Sequence, residues 1–213
     1  MEKIEKTIII DSLNTDKTYS VQSNEHVTYV IFPENKTDET GKIEIKVTGT
    51  KANVQILGII IGQGNQVIRL KTVQDHLGEQ SVSDLLIKSA LFGSSRFYYE
   101  GLIRIEKDAQ RSNAYQKNQN LLLSSKAWAD SRPYLEILAN DVRCTHGATI
   151  GKPDQEQLYY LASRGLNGKD ATRVILEGFF EDVIRRIPSE EIQNNLRGKA
   201  LKYIKHLLER ELV

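Results

Sequence analysis

The sequence lacks several features that define broad protein classes. It has one cysteine, Cys144, in 213 residues, so it cannot form an internal disulfide. Its 29 basic and 28 acidic residues leave a net charge of +1, without the positive excess of a nucleic-acid or anionic-membrane binder. No stretch approaches the roughly 18 to 20 apolar residues of a membrane span. Because residues 1–6 also lack the apolar run of a signal peptide, we expect a soluble, cytoplasmic protein with no nucleic-acid or membrane partner.

Motifs of enzymes and nucleotide-binding proteins are missing too. The glycine-rich segment 58–64 lacks the Lys-Ser/Thr ending of a phosphate-binding loop, and no serine lies in a nucleophile-elbow motif. A carbohydrate-active enzyme would need two carboxylates at a set separation, and no spacing singles out Glu100, Glu136 or Asp141. We therefore predict a protein that is not an enzyme and has no nucleotide site.

Brief apolar or alternating runs, separated by turn-forming residues, dominate residues 6 to 150. This spacing predicts many short strands, in a sandwich, a barrel or a β-solenoid. Two runs, 85–87 and 121–123, are apolar at every position, which is typical of strands covered on both faces. The predicted strands are Thr7–Ile10, Val27–Phe32, Ile43–Val47, Val54–Ile61, Val67–Val73, Leu85–Leu91, Phe97–Ile105, Leu121–Leu123, Tyr134–Leu138 and Val142–His146.

The hydrophobic period becomes helical after residue 150. Pro153 marks the start of one short helix, Asn167 is a suitable N-cap for a second, and Pro188 marks the start of a third. Apolar residues recur at helical spacing in the second and third segments. We predict a β core over residues 1–150 followed by a small helical domain over residues 151–213.

The single cysteine lies two residues before a histidine. If this segment is a strand, Val142, Cys144 and His146 share one face. A thiolate beside an imidazole suits zinc, copper or an iron–sulfur centre, but two donors fall short of the usual four ligands. Any metal here therefore needs ligands from a second chain. The alternative is that Cys144 is packed as a small hydrophobe.

Three other features have structural interpretations. His76, beside Asp75, is expected to be a solvated histidine that lines a turn. The amides of residues 113–120 are expected to stack between the rungs of a solenoid and to satisfy backbone groups in its turns, rather than to bind a substrate. Phe179 and Phe180 are expected to pack in the core, with docking of a partner as the competing hypothesis.

Seven short segments between residues 75 and 165 follow one another in the order typical of one family. The resemblance, over about residues 70 to 187, is to the SufB/SufD family of iron–sulfur cluster assembly proteins, and it is most specific from Tyr134 to Gly165. The seven segments are Asp75-His76, Ser81–Asp84, Tyr98–Gly101, Ala114–Ser124, Pro133–Ile137, Asp141–Gly151 and Gln157–Gly165.

This resemblance implies a mainly β fold, a right-handed parallel β-helix followed by a small C-terminal α-helical domain. It also implies a complex with SufC, an ABC-type ATPase that family members engage through their helical end, here Asp154 to Arg186. SufD-like chains carry a Cys-x-His-Gly-Ala-Thr segment whose cysteine and histidine matter at the interface with SufB. Those two positions are Cys144 and His146 in this sequence.

The sequence departs from SufB-like chains at two points. It has His146-Gly147 where they have His-Glu, and 127–130 contains no cysteine where they carry one. It therefore resembles a minimal SufD-like core. We expect a scaffold subunit that docks a SufC-like ATPase and pairs with a second copy or a SufB-like chain. Through Cys144 and His146 it would share a transient iron–sulfur cluster, and the alternative is a purely structural subunit with no metal role.

Overall fold

The computed structural model of the protein describes residues 4–34 and 37–211, which form eleven strands followed by three helices. None of these helices combines the length and apolar character needed to cross a membrane. The strands are β1 Ile4–Ile10, β2 Lys17–Val21, β3 Glu25–Ile31, β4 Glu39–Val47, β5 Asn53–Gly62, β6 Val67–His76, β7 Val82–Leu91, β8 Arg96–Ile105, β9 Asn113–Leu122, β10 Trp128–Ile137 and β11 Arg143–Gly151. The helices are α1 Gln155–Ser163, α2 Gly168–Ile184 and α3 Glu190–Glu211.

The strands form two sheets in which every pairing is parallel. Sheet A has the order β1-β3-β5-β7-β9-β11, and sheet B has the order β10-β8-β6-β4-β2. Because consecutive strands alternate between the sheets, the chain winds as a β-solenoid of about five turns. This confirms the parallel β-helix with C-terminal helices that the family resemblance implies, and it decides among the three folds that the strand pattern leaves open.

The two sheets enclose an interior filled by apolar side chains. β7 shows why some strands are apolar at every position. Leu85 and Ile87 point into the interior, whereas Leu86 between them points outward to the helices. All three side chains are buried. The prediction that this strand is covered on both faces is therefore confirmed, and the cover on the outer face is the protein's own helical segment.

Helices α2 and α3 pack on the outer face of sheet A. Asn167 caps α2 as the sequence predicts, since its Oδ1 accepts a hydrogen bond from the backbone N–H of Asp170 at 2.9 Å. Phe180 lies in the apolar cluster shared by the helices and the sheet, which confirms a core role for it. Beside it, Lys88 Nζ lies 2.9 Å from Asp182 Oδ2. The apolar cluster contains side chains of both the solenoid and the helices. The division of the chain at residue 150 into two domains therefore stays a prediction.

Several strands differ from the sequence-based prediction. β2 is not predicted at all, and β9 begins at Asn113 although the sequence predicts only 121–123 as strand. The predicted strand is therefore too short at its start. Asparagine is disfavoured in strands by propensity, but strand preference depends mainly on what each side chain contacts. In β9 the inward amides find hydrogen-bond partners inside the solenoid, so tertiary contacts override the propensity.

Candidate functional site

The last coil of the solenoid, formed by β10 and β11, lies at the edge of both sheets. β10 pairs with β8 and β11 pairs with β9, and no described strand pairs with their other edges. Inward-facing side chains are consequently exposed: Leu135 by 39%, Ile137 by 40% and Ile150 by 46%. Their neighbours one coil below, Ile103 and Ile105, are fully buried. The solenoid therefore ends in an uncapped surface, here called the terminal coil face, which comprises Leu135, Ile137, Cys144, His146 and Ile150.

Cys144 and His146 both lie on the inward-facing side of β11. In register, Cys144 pairs with Ala114 and His146 pairs with Gln116, and both partners are buried in the interior. A spacing of two residues along a strand separates their Cα atoms by about 6.6 Å. The prediction that the two residues share one strand face is thus confirmed. The structure adds that this face is the uncovered end of the solenoid.

The environments of the two side chains differ. Burial raises the pKa of the Cys144 thiol to about 11, so the thiol is protonated at neutral pH. The ring of His146 is exposed. A thiolate ligand would therefore form when a metal ion displaces the proton from sulfur. Cys144 is a free, half-buried cysteine that packs against Ile103, Ile105, Ala109, Ala114 and Ala139.

The chain supplies only part of a metal site. Among residues 4–34 and 37–211, no group of three or more His, Cys, Asp or Glu side chains could hold a metal ion. The segment 127–130 offers only Asp130, whose Oδ2 lies 2.7 Å from Nη2 of Arg132. Cys144 and His146 have the donor atoms that iron and zinc accept, but two donors complete such a site only when another chain adds ligands.

A layer of buried amides lies one coil beneath the terminal coil face. Gln116, Asn118 and Asn120 project inward from β9. Asn120 Nδ2 donates to Asn118 Oδ1 at 2.7 Å and to the carbonyl oxygen of Thr149 at 3.1 Å, which ties β9 to β11. Asn118 Nδ2 donates to the carbonyl oxygen of Ile87 at 3.2 Å. The structural role predicted for the amides is confirmed for Asn118 and Asn120, although the backbone groups that they bond lie in strands and not in turns.

His76 is buried, so its prediction as a solvated turn residue is wrong. Its Nδ1 lies 2.7 Å from Ser81 Oγ, and its Nε2 lies 2.7 Å from Ser83 Oγ. Burial lowers the pKa of the imidazole to about 4. Side chains of β6 alternate between inward and outward up to its last residue, so Gln74 and His76 face inward. This alternation is the signal in the sequence that indicates a buried His76. With both nitrogens bonded to serines, His76 is a structural histidine.

Comparison with known proteins identifies the family. The model of the family described as "SUF system FeS cluster assembly, SufBD core domain" matches residues 12–179. The chain belongs to the SufBD core family. It is 31% identical over 154 residues to the iron-sulfur cluster assembly protein SufD of Escherichia coli K12, which covers 72% of this chain and 36% of that relative. It is 34% identical over 138 residues to SufD of Bacillus subtilis 168, with coverage of 65% and 32%.

The family match includes the whole terminal coil face, because residues 12–179 contain both β10 and β11. A third relative, a SufBD family protein of Synechocystis, is 40% identical over 99 residues, which is 46% of this chain and 22% of that relative. The chain spans about a third of the length of the two SufD relatives. Both of those relatives are iron–sulfur cluster assembly proteins of the SufD type.

Proposed function

We propose that this chain is a non-catalytic scaffold subunit of a SUF-type complex, and that its terminal coil face pairs with a second chain to form a shared site for a nascent iron–sulfur cluster. One observation carries the proposal: Cys144 and His146 lie on a face whose apolar side chains are left uncovered. Covering that face would bury the apolar surface and bring further ligands to the pair. The proposed compartment is the cytoplasm, where reducing conditions keep a single thiol free.

The partner at this face is either a second copy or a SufB-like chain. Two copies related by a two-fold axis would bring two thiolates and two imidazoles together, a set large enough for a cluster. A SufB-like chain would instead give a mixed site. In both cases the outer edges of β10 and β11 offer unpaired backbone groups to the partner.

Anaerobic reconstitution with iron and sulfide tests this proposal. The wild-type chain, alone and with a SufB-like chain, should develop visible iron–sulfur absorption together with the mass of a paired assembly. Cys144→Ser and His146→Gln should each lower iron uptake, by at least about tenfold for the cysteine variant. Thr145→Ser, on the opposite face of β11, is the matched control and should behave as wild type. Iron uptake that does not depend on Cys144 would contradict the proposal.

The helical segment is the proposed docking site for a SufC-like ABC-type ATPase, whose ATP hydrolysis would supply energy for remodelling. α1 has no buried residue, Tyr159 is 79% exposed, and a groove of about 950 Å³ lies between α1, α2 and α3. Exposed aromatic side chains are frequent anchors of protein interfaces. Tyr159→Ala should reduce capture of the ATPase by at least about tenfold. Tyr115→Ala, on β9, is the control, and equal capture by both variants would exclude Tyr159 as an anchor.

A purely structural role for the chain is the second candidate function. It is favoured by the packing of Cys144 against the interior and by the raised pKa of its thiol. In that case the terminal coil face would join subunits without holding iron. Reconstitution separates the two functions, since a structural subunit would show the mass of a paired assembly in wild type and in Cys144→Ser, with no iron–sulfur absorption in either.

A further inference from the structure

Gln116 is a buried side chain with an unused hydrogen-bond acceptor. It is 1% exposed, and its Nε2 donates to the carbonyl oxygen of Gly101 at 3.3 Å. Its Oε1 is buried and has no hydrogen-bond partner among the residues that the structure describes, 4–34 and 37–211. A buried carbonyl oxygen that leaves water without gaining a partner destabilises a protein, so such an atom requires an explanation.

A glycine across the interior makes room for this carboxamide. A Cβ atom on residue 101 would lie 2.4 Å from Nε2 and 2.5 Å from Oε1 of Gln116, closer than such atoms can approach. Gly101 lies inside β8, where glycine weakens a strand because it has no side chain to pack. The amide therefore occupies a space that the opposite strand leaves open for it.

His146 lies one layer above Gln116. The two residues are register partners on β11 and β9, and both face inward. Neighbouring strands are about 4.8 Å apart, so the imidazole and the carboxamide occupy adjacent layers of the stack. Within residues 4–34 and 37–211, no side chain or backbone group forms a hydrogen bond with the His146 ring. An acceptor without a donor thus lies in the layer beneath a ring that carries an N–H.

We propose that Gln116 is a positioning residue for His146. Rotation of the His146 side chain would bring one ring N–H to Oε1, and that hydrogen bond would select one tautomer of the neutral imidazole and turn the lone pair of the other nitrogen toward the open end of the solenoid. A hydrogen bond of this kind orients ligating histidines and increases their basicity. The inference rests on the proposed function, in which His146 contributes a ligand to the shared cluster site.

The tautomer of His146 provides a test that does not require iron. Long-range ¹H–¹⁵N spectra of the histidine-labelled chain at about pH 8.5, where histidine side chains are generally neutral, report the tautomer ratio of each ring. His146→Asn identifies the signals of that ring, and the exposed His206 is the internal control. Gln116→Met removes the oxygen but keeps the length of the side chain. We expect it to change the His146 ratio by about twofold to tenfold, the range for one hydrogen bond.

Gln116→Glu is the second variant. It retains an acceptor oxygen and should keep or strengthen the wild-type tautomer preference. An unchanged His146 tautomer ratio in Gln116→Met overturns the proposal. Loss of the tautomer preference in Gln116→Glu overturns it as well. If circular dichroism shows that Gln116→Met is unfolded, the result for Gln116→Glu decides alone.

Failure of the proposed function has a different signature. If the His146 ratio depends on Gln116 while His146→Gln takes up iron and sulfide as well as wild type, the positioning role stands and the ligand role of His146 fails.

Discussion

The middle coils and the terminal coil of the solenoid are built from similar strands but differ in what covers them. Ile105 on β8 and Ile137 on β10 are register partners of the same residue type, yet Ile105 is fully buried and Ile137 is 40% exposed. The inward face of a middle coil meets the next coil, whereas the inward face of the last coil meets solvent. The same pattern therefore produces a core in one place and an exposed apolar surface in the other.

Two histidines show the same difference. His76, in a middle coil, has serine partners on both ring nitrogens, whereas the ring of His146, in the last coil, is exposed. Each lies on the inward face of a strand. The position of the strand in the stack, and not the residue type, determines whether the imidazole is buried or exposed.

The largest effect that would test this comparison is a loss of stability. Ile105→Ala should lower the free energy of unfolding by about 2 to 5 kcal/mol, because it leaves a cavity in a packed interior. Ile137→Ala removes the same atoms from a partly solvated position and should cost less than about 1 kcal/mol. Urea denaturation of both variants, at concentrations where the chain is monomeric, measures the difference. Equal losses would mean that the last coil is covered even in the monomer.

The pH dependence of stability should reveal the buried His76. Its pKa is about 4 in the folded protein and about 6.5 in an unfolded chain, so between these values the unfolded state binds more protons. The contribution of neutral, buried His76 to the free energy of unfolding is complete above about pH 6.5. It is lost as the pH falls toward 4, and the loss amounts to about 3 kcal/mol.

The check is the free energy of unfolding between about pH 8 and 4, the range that brackets this titration. His76→Gln should flatten the pH dependence, and His206→Gln, at an exposed position on α3, should leave it as in wild type. If the free energy of unfolding of His76→Gln depends on pH as steeply as that of wild type, carboxylates and not His76 account for the loss of stability at low pH.

The smallest expected effect is on association through the terminal coil face. Ile137→Asp would place an unpaired carboxylate in a covered apolar surface and should weaken pairing by at least about tenfold. Sedimentation over a range of concentrations, alone and with a SufB-like chain, measures this. Ile9→Asp is the matched control, because Ile9 is an exposed isoleucine on β1 at the other end of the solenoid. Unchanged pairing of a folded Ile137→Asp variant would assign the interface to another surface.

The predictable parts of this protein are those with local causes. Pro153 and Asn167 lie just before α1 and α2 as predicted, and the Asn167 side chain accepts a hydrogen bond from a nearby backbone N–H. The common face of Cys144 and His146 follows from the alternation of side chains along a strand. β9 was mostly missed because its amides have hydrogen-bond partners on other coils, far away in sequence.

The sequence by itself determined the period of each segment, the helix caps, the family and the pairing of one cysteine with one histidine on a strand face. Tertiary structure decided which inward faces are covered. Burial of His76, the raised pKa of the Cys144 thiol and the exposure of His146 all depend on how coils stack, and stacking joins strands about 30 residues apart. Local sequence patterns determine whether a side chain points inward or outward. Whether an inward side chain is covered depends on the next coil, and no described coil follows the last one in the stack.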